Sequence, residues 1–108
     1  MEIRARDNER ELLLELSGEI DHHGARNALK EVEMAIDAAL PRLLTLDFSG
    51  VTFMDSSGIG VLIGRKKTMD MHRGEICARN LGERAQKIFD KSGLAQIILV
   101  ESGREEKK

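Results

Sequence analysis

Between residues 24 and 40 the chain sets Ala25, Ala28, Leu29, Val32, Ala35, Ile36, Ala39 and Leu40 at three- and four-residue steps. Arg26, Lys30, Glu33 and Asp37 fill the other side. That spacing draws one apolar stripe along a helix, and such a stripe is buried against another layer. Directly beyond Pro41 comes a short apolar run, Leu43–Phe48, interrupted only by Thr45 and Asp47. A helix that leads straight into such a run predicts a crossover into a buried parallel strand. This pairing of a helix with a buried strand commits the chain to an α/β architecture.

The remaining elements fit around it. Residues 2–6 alternate charged and apolar side chains and predict an edge strand, with Asp7-Asn8 as a turn. Glu11–Leu16 predicts a second strand, antiparallel to the first and ended by Ser17-Gly18. Asp21 stands close to the N-cap position of the helix, and Pro41 marks its exit. Ser49–Asp55 reads as a loop. A second helix runs from Ser57 to about Met69, with Ile59, Leu62, Ile63 and Met69 towards the core. Gly74–Arg79 is a strand around Ile76 and Ala78. Gly82–Lys91 is a helix carrying Ala85, Ile88 and Phe89, stopped at Ser92-Gly93. Gln96–Val100 is a last strand, and Glu101–Lys108 a charged, frayed tail. The predicted order is β-β-α-β-α-β-α-β. It describes a single α/β domain over residues 1–108, with a mixed, mostly parallel sheet of about five strands and crossover helices.

Composition narrows the function. The chain has 108 residues, enough for one domain with its own core. With one Cys, neither an internal disulfide nor a cysteine-based zinc site can form. Lys and Arg number 17 against 19 Asp and Glu, whereas nucleic-acid partners usually require a basic surface. Three Phe and no Tyr or Trp cannot make a row of stacking platforms. The apolar runs are a few residues long, whereas a membrane helix needs about 20. MEIRARDNER contains no apolar core of a signal peptide. The expectation is a cytoplasmic domain with no direct nucleic-acid partner and no membrane contact.

The densest segment is Leu44–Lys67, LTLDFSGVTFMDSSGIGVLIGRKK. It places Asp55, Ser56, Ser57 and Gly58 where a helix starts, at the carboxyl end of a buried parallel strand, where sites in such sheets commonly lie. Free N–H groups and the positive end of the helix dipole point there. Two readings stay open on these residues alone: a plain helix cap, or a site. Three catalytic patterns fail. A nucleophile elbow would need Gly two residues before Ser56, and Met54 is there. In a phosphate loop Gly60 and Gly64 are one residue too close, with Arg65 in place of Lys. Gly58-x-Gly60 lacks the third Gly of a dinucleotide fingerprint. Gly60 and Gly64, one helical turn apart, predict the close approach of another backbone. Gly18-Glu19-Ile20-Asp21-His22-His23 reads as an exposed loop or a recognition loop. Consecutive His side chains point apart on an extended chain, so no metal site is expected. Cys77 is expected as a small buried hydrophobe. Arg65-Lys66-Lys67 falls in the expected last turn of its helix, where cations favour the dipole.

Taken together, these segments resemble the STAS-domain anti-sigma factor antagonists, in particular their sporulation type. The resemblance spans nearly the whole chain. It rests on Phe53-Met54-Asp55-Ser56-Ser57-Gly58-Ile59-Gly60-Val61, on the Gly18–His23 segment and on Phe89-Asp90-Lys91-Ser92-Gly93-Leu94. It implies a binding protein that is a switch and not an enzyme, with no cofactor and no metal. Unmodified, such a protein binds an anti-sigma factor serine kinase and releases the sigma factor. Phosphorylation of the first Ser of D-S-S-G, Ser56, ends binding, and a serine phosphatase restores it. The resemblance also implies that Asp21 docks on a basic residue of the anti-sigma factor, with His22, Asp55, Ser57, Gly58 and Ile59 on the same surface. The free protein is expected to be a monomer. The alternative is a non-switching STAS scaffold, or an accessory subunit of a stress-signalling or transport complex. One departure is visible. The family often ends in a further amphipathic helix, and Glu101–Lys108 has no apolar residue to build one.

Overall fold

Five strands form a single sheet whose spatial order is their order in the chain. They are β1 (Glu2–Asn8), β2 (Glu11–Ile20), β3 (Leu43–Met54), β4 (Glu75–Arg79) and β5 (Leu99–Glu101). Three helices connect them: α1 (His22–Ala39), α2 (Ser57–Met71) and α3 (Glu83–Ser92), the last followed by a 3-10 turn at Leu94–Gln96. The computed structural model describes residues 2–8 and 10–101, without the side chains of residues 8 and 27–29. The expected frayed tail at 102–108 and the Ala28 and Leu29 part of the α1 stripe lie outside the described residues.

β1 and β2 pair antiparallel, while β2–β3, β3–β4 and β4–β5 are parallel. Parallel crossovers are right-handed, and this strand order never reverses, so the connecting helices share one face. The burial alternation agrees. Leu12, Leu14, Leu16, Leu44, Leu46, Phe48, Ile76 and Ala78 are buried under the helices. Leu13, Glu15, Thr45, Cys77 and Arg79, on the other face, are only half-buried. Phe89 of α3 meets Phe48 of β3 edge to face, with ring centroids 6.0 Å apart. That geometry suits the ring quadrupoles.

Several boundaries differ from the sequence expectation. β1 extends through Asp7-Asn8, the expected turn, and Asn8 pairs with Glu11. β2 continues past Leu16 to Ile20 and β3 past Phe48 to Met54, so most of the expected loop Ser49–Asp55 is strand. The two extensions pair with each other through register shifts at Glu15/Ser17 and Gly18/Glu19. Gly18 adopts φ 88°, and Gly50 lies so close that an added Cβ would stand 2.9 Å from Ser17 Cβ. Such bulges blur the alternation by which a strand is recognised in sequence.

α2 runs to Met71, which places Arg65-Lys66-Lys67 inside the helix and not in its last turn. Its buried stripe is Gly58, Leu62, Arg65 and Met69. Ile63, expected in the core, is 37% exposed, because one helical step beyond Leu62 turns it away. Leu40 is exposed and left-handed (φ 46°), with its N–H closing α1 on Ile36 O. Gln96, Ile97 and Ile98 leave the expected last strand, and β5 begins at Leu99 and includes Glu101. Cys77 is half-buried, on the helix-free face, where an interior position was expected.

Candidate functional site

The two informative segments meet at the carboxyl ends of β2 and β3. Ile20 and Met54, the last residues of those strands, are register partners. The pairing carries one step further, where Asp55 N–H donates to Ile20 O at 3.2 Å. Asp21 and Asp55 therefore both stand just beyond the sheet edge, each opening a helix. Asp21 accepts the Gly24 N–H at 2.7 Å and caps α1. Asp55 accepts the Ser57 N–H at 2.8 Å and serves the first turn of α2 in the same way. Each carboxylate answers unpaired N–H groups and the positive end of a helix dipole.

Ser56 sits at the N-cap position of α2, is exposed, and makes no side-chain capping bond. Its neighbour Asp55 has taken that role. The cap reading of this segment therefore applies to Asp55, and the Ser56 hydroxyl faces solvent at a helix start. The Gly24 N–H holds the Asp21 carboxyl below its usual range, against the opposing effect of burial. His22 and His23 are exposed on the first turn of α1.

The other expected surface residues divide. Ser57 and Ile59 are half-buried, and Ile59 packs against the core. Gly58 is buried. A Cβ there would stand 2.7 Å from Met54 Cε and 3.2 Å from Ile20 Cγ2. It thus brings α2 down onto the ends of β2 and β3, from within and not from the surface. Gly60 and Gly64 do not have the close neighbour expected of them, since a Cβ on either would meet nothing within 4 Å.

A pair missed in the sequence ties the two helices together. Arg65 of α2, with its side chain 7% exposed, donates from a terminal guanidinium nitrogen to Glu33 of α1 at 2.9 Å. Its Nε has no partner among the described residues. Burial lowers the Arg65 pKa and the Glu33 charge opposes that shift. Arg65 falls in phase with Leu62 and Met69, a signal that its place in a run of three cations obscures. Between α1 and α2 a cavity of about 30 Å³ lies beside Gly58, Val61 and Arg65. That is room for about one water. Among the described residues no three His, Cys, Asp or Glu side chains converge as a metal set. No described helix is long and apolar enough to cross a membrane.

Comparison with known proteins bears on this geometry. Residues 2–106 match the STAS domain family. The anti-sigma-B factor antagonist of Bacillus subtilis is 35% identical over 98 residues, which cover 89% of this chain and 86% of that protein. The anti-sigma F factor antagonist of Paenibacillus polymyxa is 33% identical over 87 residues, 81% of this chain and 74% of that one. Among solved structures, the anti-sigma factor antagonist SpoIIAA in its unphosphorylated form superposes with a TM-score of 0.80 at 24% identity, over 97% of this chain and 92% of that chain. The last of these shows the shared fold.

Proposed function

The chain belongs to the STAS-domain family, among the anti-sigma factor antagonists, and on that premise we propose a phosphorylation switch centred on Ser56. Unmodified, the protein binds an anti-sigma factor that is also a serine kinase, and the sigma factor held there is released. Phosphate on Ser56 ends the binding, and a serine phosphatase restores it. Catalysis belongs to the partners, and the cycle runs in the cytoplasm. The Gly18–His23 segment supports assignment to the sporulation type.

One observation carries this reading: Ser56 is exposed and makes no side-chain capping bond, at one of two Asp-capped helix starts that β2 and β3 hold side by side. A phosphate adds about −1.5 to −2 charge and three acceptor oxygens. The helix N–H groups can accommodate that anion, so the fold survives. A docked partner meets repulsion and desolvation instead, beside the charge of Asp55. A cost of about 2–3 kcal/mol would weaken binding roughly thirty- to over a hundredfold. Asp21 supplies the complementary contact to a basic residue of the kinase, with His22, Asp55, Ser57 and Ile59 around it and Gly58 setting the height of α2.

The test is to incubate the protein with its candidate anti-sigma kinase and ATP, then map the modified peptide. One phosphate on Ser56, lost in Ser56→Ala and kept in Ser57→Ala, is the expected result. Phosphate on Ser57 would move the switch by one residue. No phosphate at all would favour a non-switching scaffold.

A further inference from the structure

Across the face of the sheet that carries no helix among the described residues, the charges form a row that, except at its centre, complements itself when read backwards. At one level stand Arg4, Glu15, Asp47, Arg79 and Glu101, each the register partner of the next. At the adjacent level stand Arg6, Leu13, Thr45, Cys77 and Leu99. The first row reads plus, minus, minus, plus, minus. We propose that this face is a self-association surface and that its occupant is a second copy of the chain.

The geometry follows from a two-fold axis lying along β3, between two facing sheets. Such an axis keeps each level in place and exchanges the sheet's edges, so β1 lies over β5 and β2 over β4. Arg4 then faces the partner's Glu101, and Glu15 faces the partner's Arg79. The symmetry repeats both contacts. Only Asp47 meets its own kind, at the axis. It is 5% exposed and already answered, by the Ser49 N–H at 2.9 Å, Asn80 Nδ2 at 3.0 Å and Arg79 Nε at 3.4 Å. The second row supplies the apolar centre, with Leu13 over the partner's Cys77 and Thr45 over its own copy. Leu99, 58% exposed, lies at the edge over the partner's Arg6, whose aliphatic stem can cover it. A depression of about 220 Å³ lined by Arg6, Glu11, Leu13, Thr45 and Arg79 leaves room for side chains to interdigitate.

Size sets the strength. Five strands about 4.8 Å apart and four residues at about 3.3 Å span roughly 24 by 13 Å. That is about 300 Å² of footprint, well below the roughly 800 Å² per partner of a stable interface. The pair is weak and transient, as interfaces of this size are. At lower concentration the chain is the monomer expected from its sequence. The Ser56 surface lies at the strand ends and not on this face, so self-association and kinase binding are separate properties.

Sedimentation across about 10 μM to 1 mM, where weak pairs form, tests the proposal. The mass should rise from one copy towards two, less so at high salt, where exposed charges are screened. Arg4→Glu and Glu101→Arg should each weaken the pair about tenfold or more, because like charges then oppose at both symmetric contacts. An equimolar mixture of the two variants should pair again, since both contacts between positions 4 and 101 of unlike copies then join opposite charges. Circular dichroism and melting of each variant separate this from misfolding, because complementation requires both to be folded. Labelling of Cys77 should slow as the wild-type protein is concentrated. A single-copy mass up to about 1 mM would overturn the proposal. So would a pair that ignores both substitutions, or folded variants that fail to complement.

Discussion

Asp21 has two roles that a conservative substitution can separate. As the α1 cap it accepts the Gly24 N–H, and as a charge it is proposed to dock on the kinase. Asn caps about as well as Asp, whereas Ala loses roughly 0.5–2 kcal/mol at such a position. Asp21→Asn should therefore keep the melting temperature and lose affinity for the kinase in a calorimetric titration. Asp21→Ala should lose both. An Asn variant with full affinity would leave Asp21 as a cap only. Asp47 gives a pH signature at the same scale. Burial pushes its pKa up, but the Ser49 N–H, the Asn80 amide and the Arg79 charge together hold it below the usual 3.8. The unfolded chain then binds the proton first as pH falls. The stabilisation is complete above about 3.8 and is lost as pH drops through the lower folded value. Acid unfolding curves should show this loss in the wild type and a shallower acid limb in Asp47→Asn.

At the scale of elements, α2 serves two surfaces. Gly58, Leu62, Arg65 and Met69 face inward, and Gly58 allows the helix start to sit against Met54 and Ile20. Gly60 and Gly64 have nothing within 4 Å of an added Cβ, so no packing among the described residues explains them. Gly in a helix interior costs about 1 kcal/mol relative to Ala. Gly60→Ala and Gly64→Ala should each raise the unfolding free energy of the isolated protein by about that amount, as read by urea denaturation. Unchanged or lower stability would show that the backbone there depends on glycine for another reason. The extended ends of β2 and β3 matter as much as the helices. Their bulged pairing carries Asp21 and Asp55 to the same edge, which a strand ending at Leu16 or Phe48 would not do.

At the scale of the whole molecule, the sheet separates a buried helix layer from a charged face that no helix of the described residues covers. The proposed switch should act on the surface of this rigid frame. Once Ser56 carries phosphate, amide resonances around residues 20–24 and 54–60 should shift, and those of β4 and α3 should stay. Shifts spread through the core would mean that the switch works by refolding. Much of this architecture was legible in the chain. Ala25 to Leu40 announced α1, the Leu43–Phe48 run announced β3, and Asp55-Ser56-Ser57-Gly58 marked the candidate site, because periodicity and capping chemistry are local. Ile63 leaves its expected place in the core, and Arg65 is covered instead, for a different reason. The period of a helix shows that it has faces, but the neighbour it packs on decides which residue is covered.

The sequence by itself determined the alternation of helices and strands, the composition limits and the residues at the start of α2. Those properties depend on near neighbours along the chain. The tertiary structure alone decided that Asp55 takes the cap and leaves the Ser56 hydroxyl in solvent. It also decided that Asp21 lies beside Asp55, that Arg65 reaches Glu33, and that Arg4, Glu15, Asp47, Arg79 and Glu101 stand in one row. Each of these is set by strand register and helix docking, and register is a relation between distant residues that no local pattern encodes.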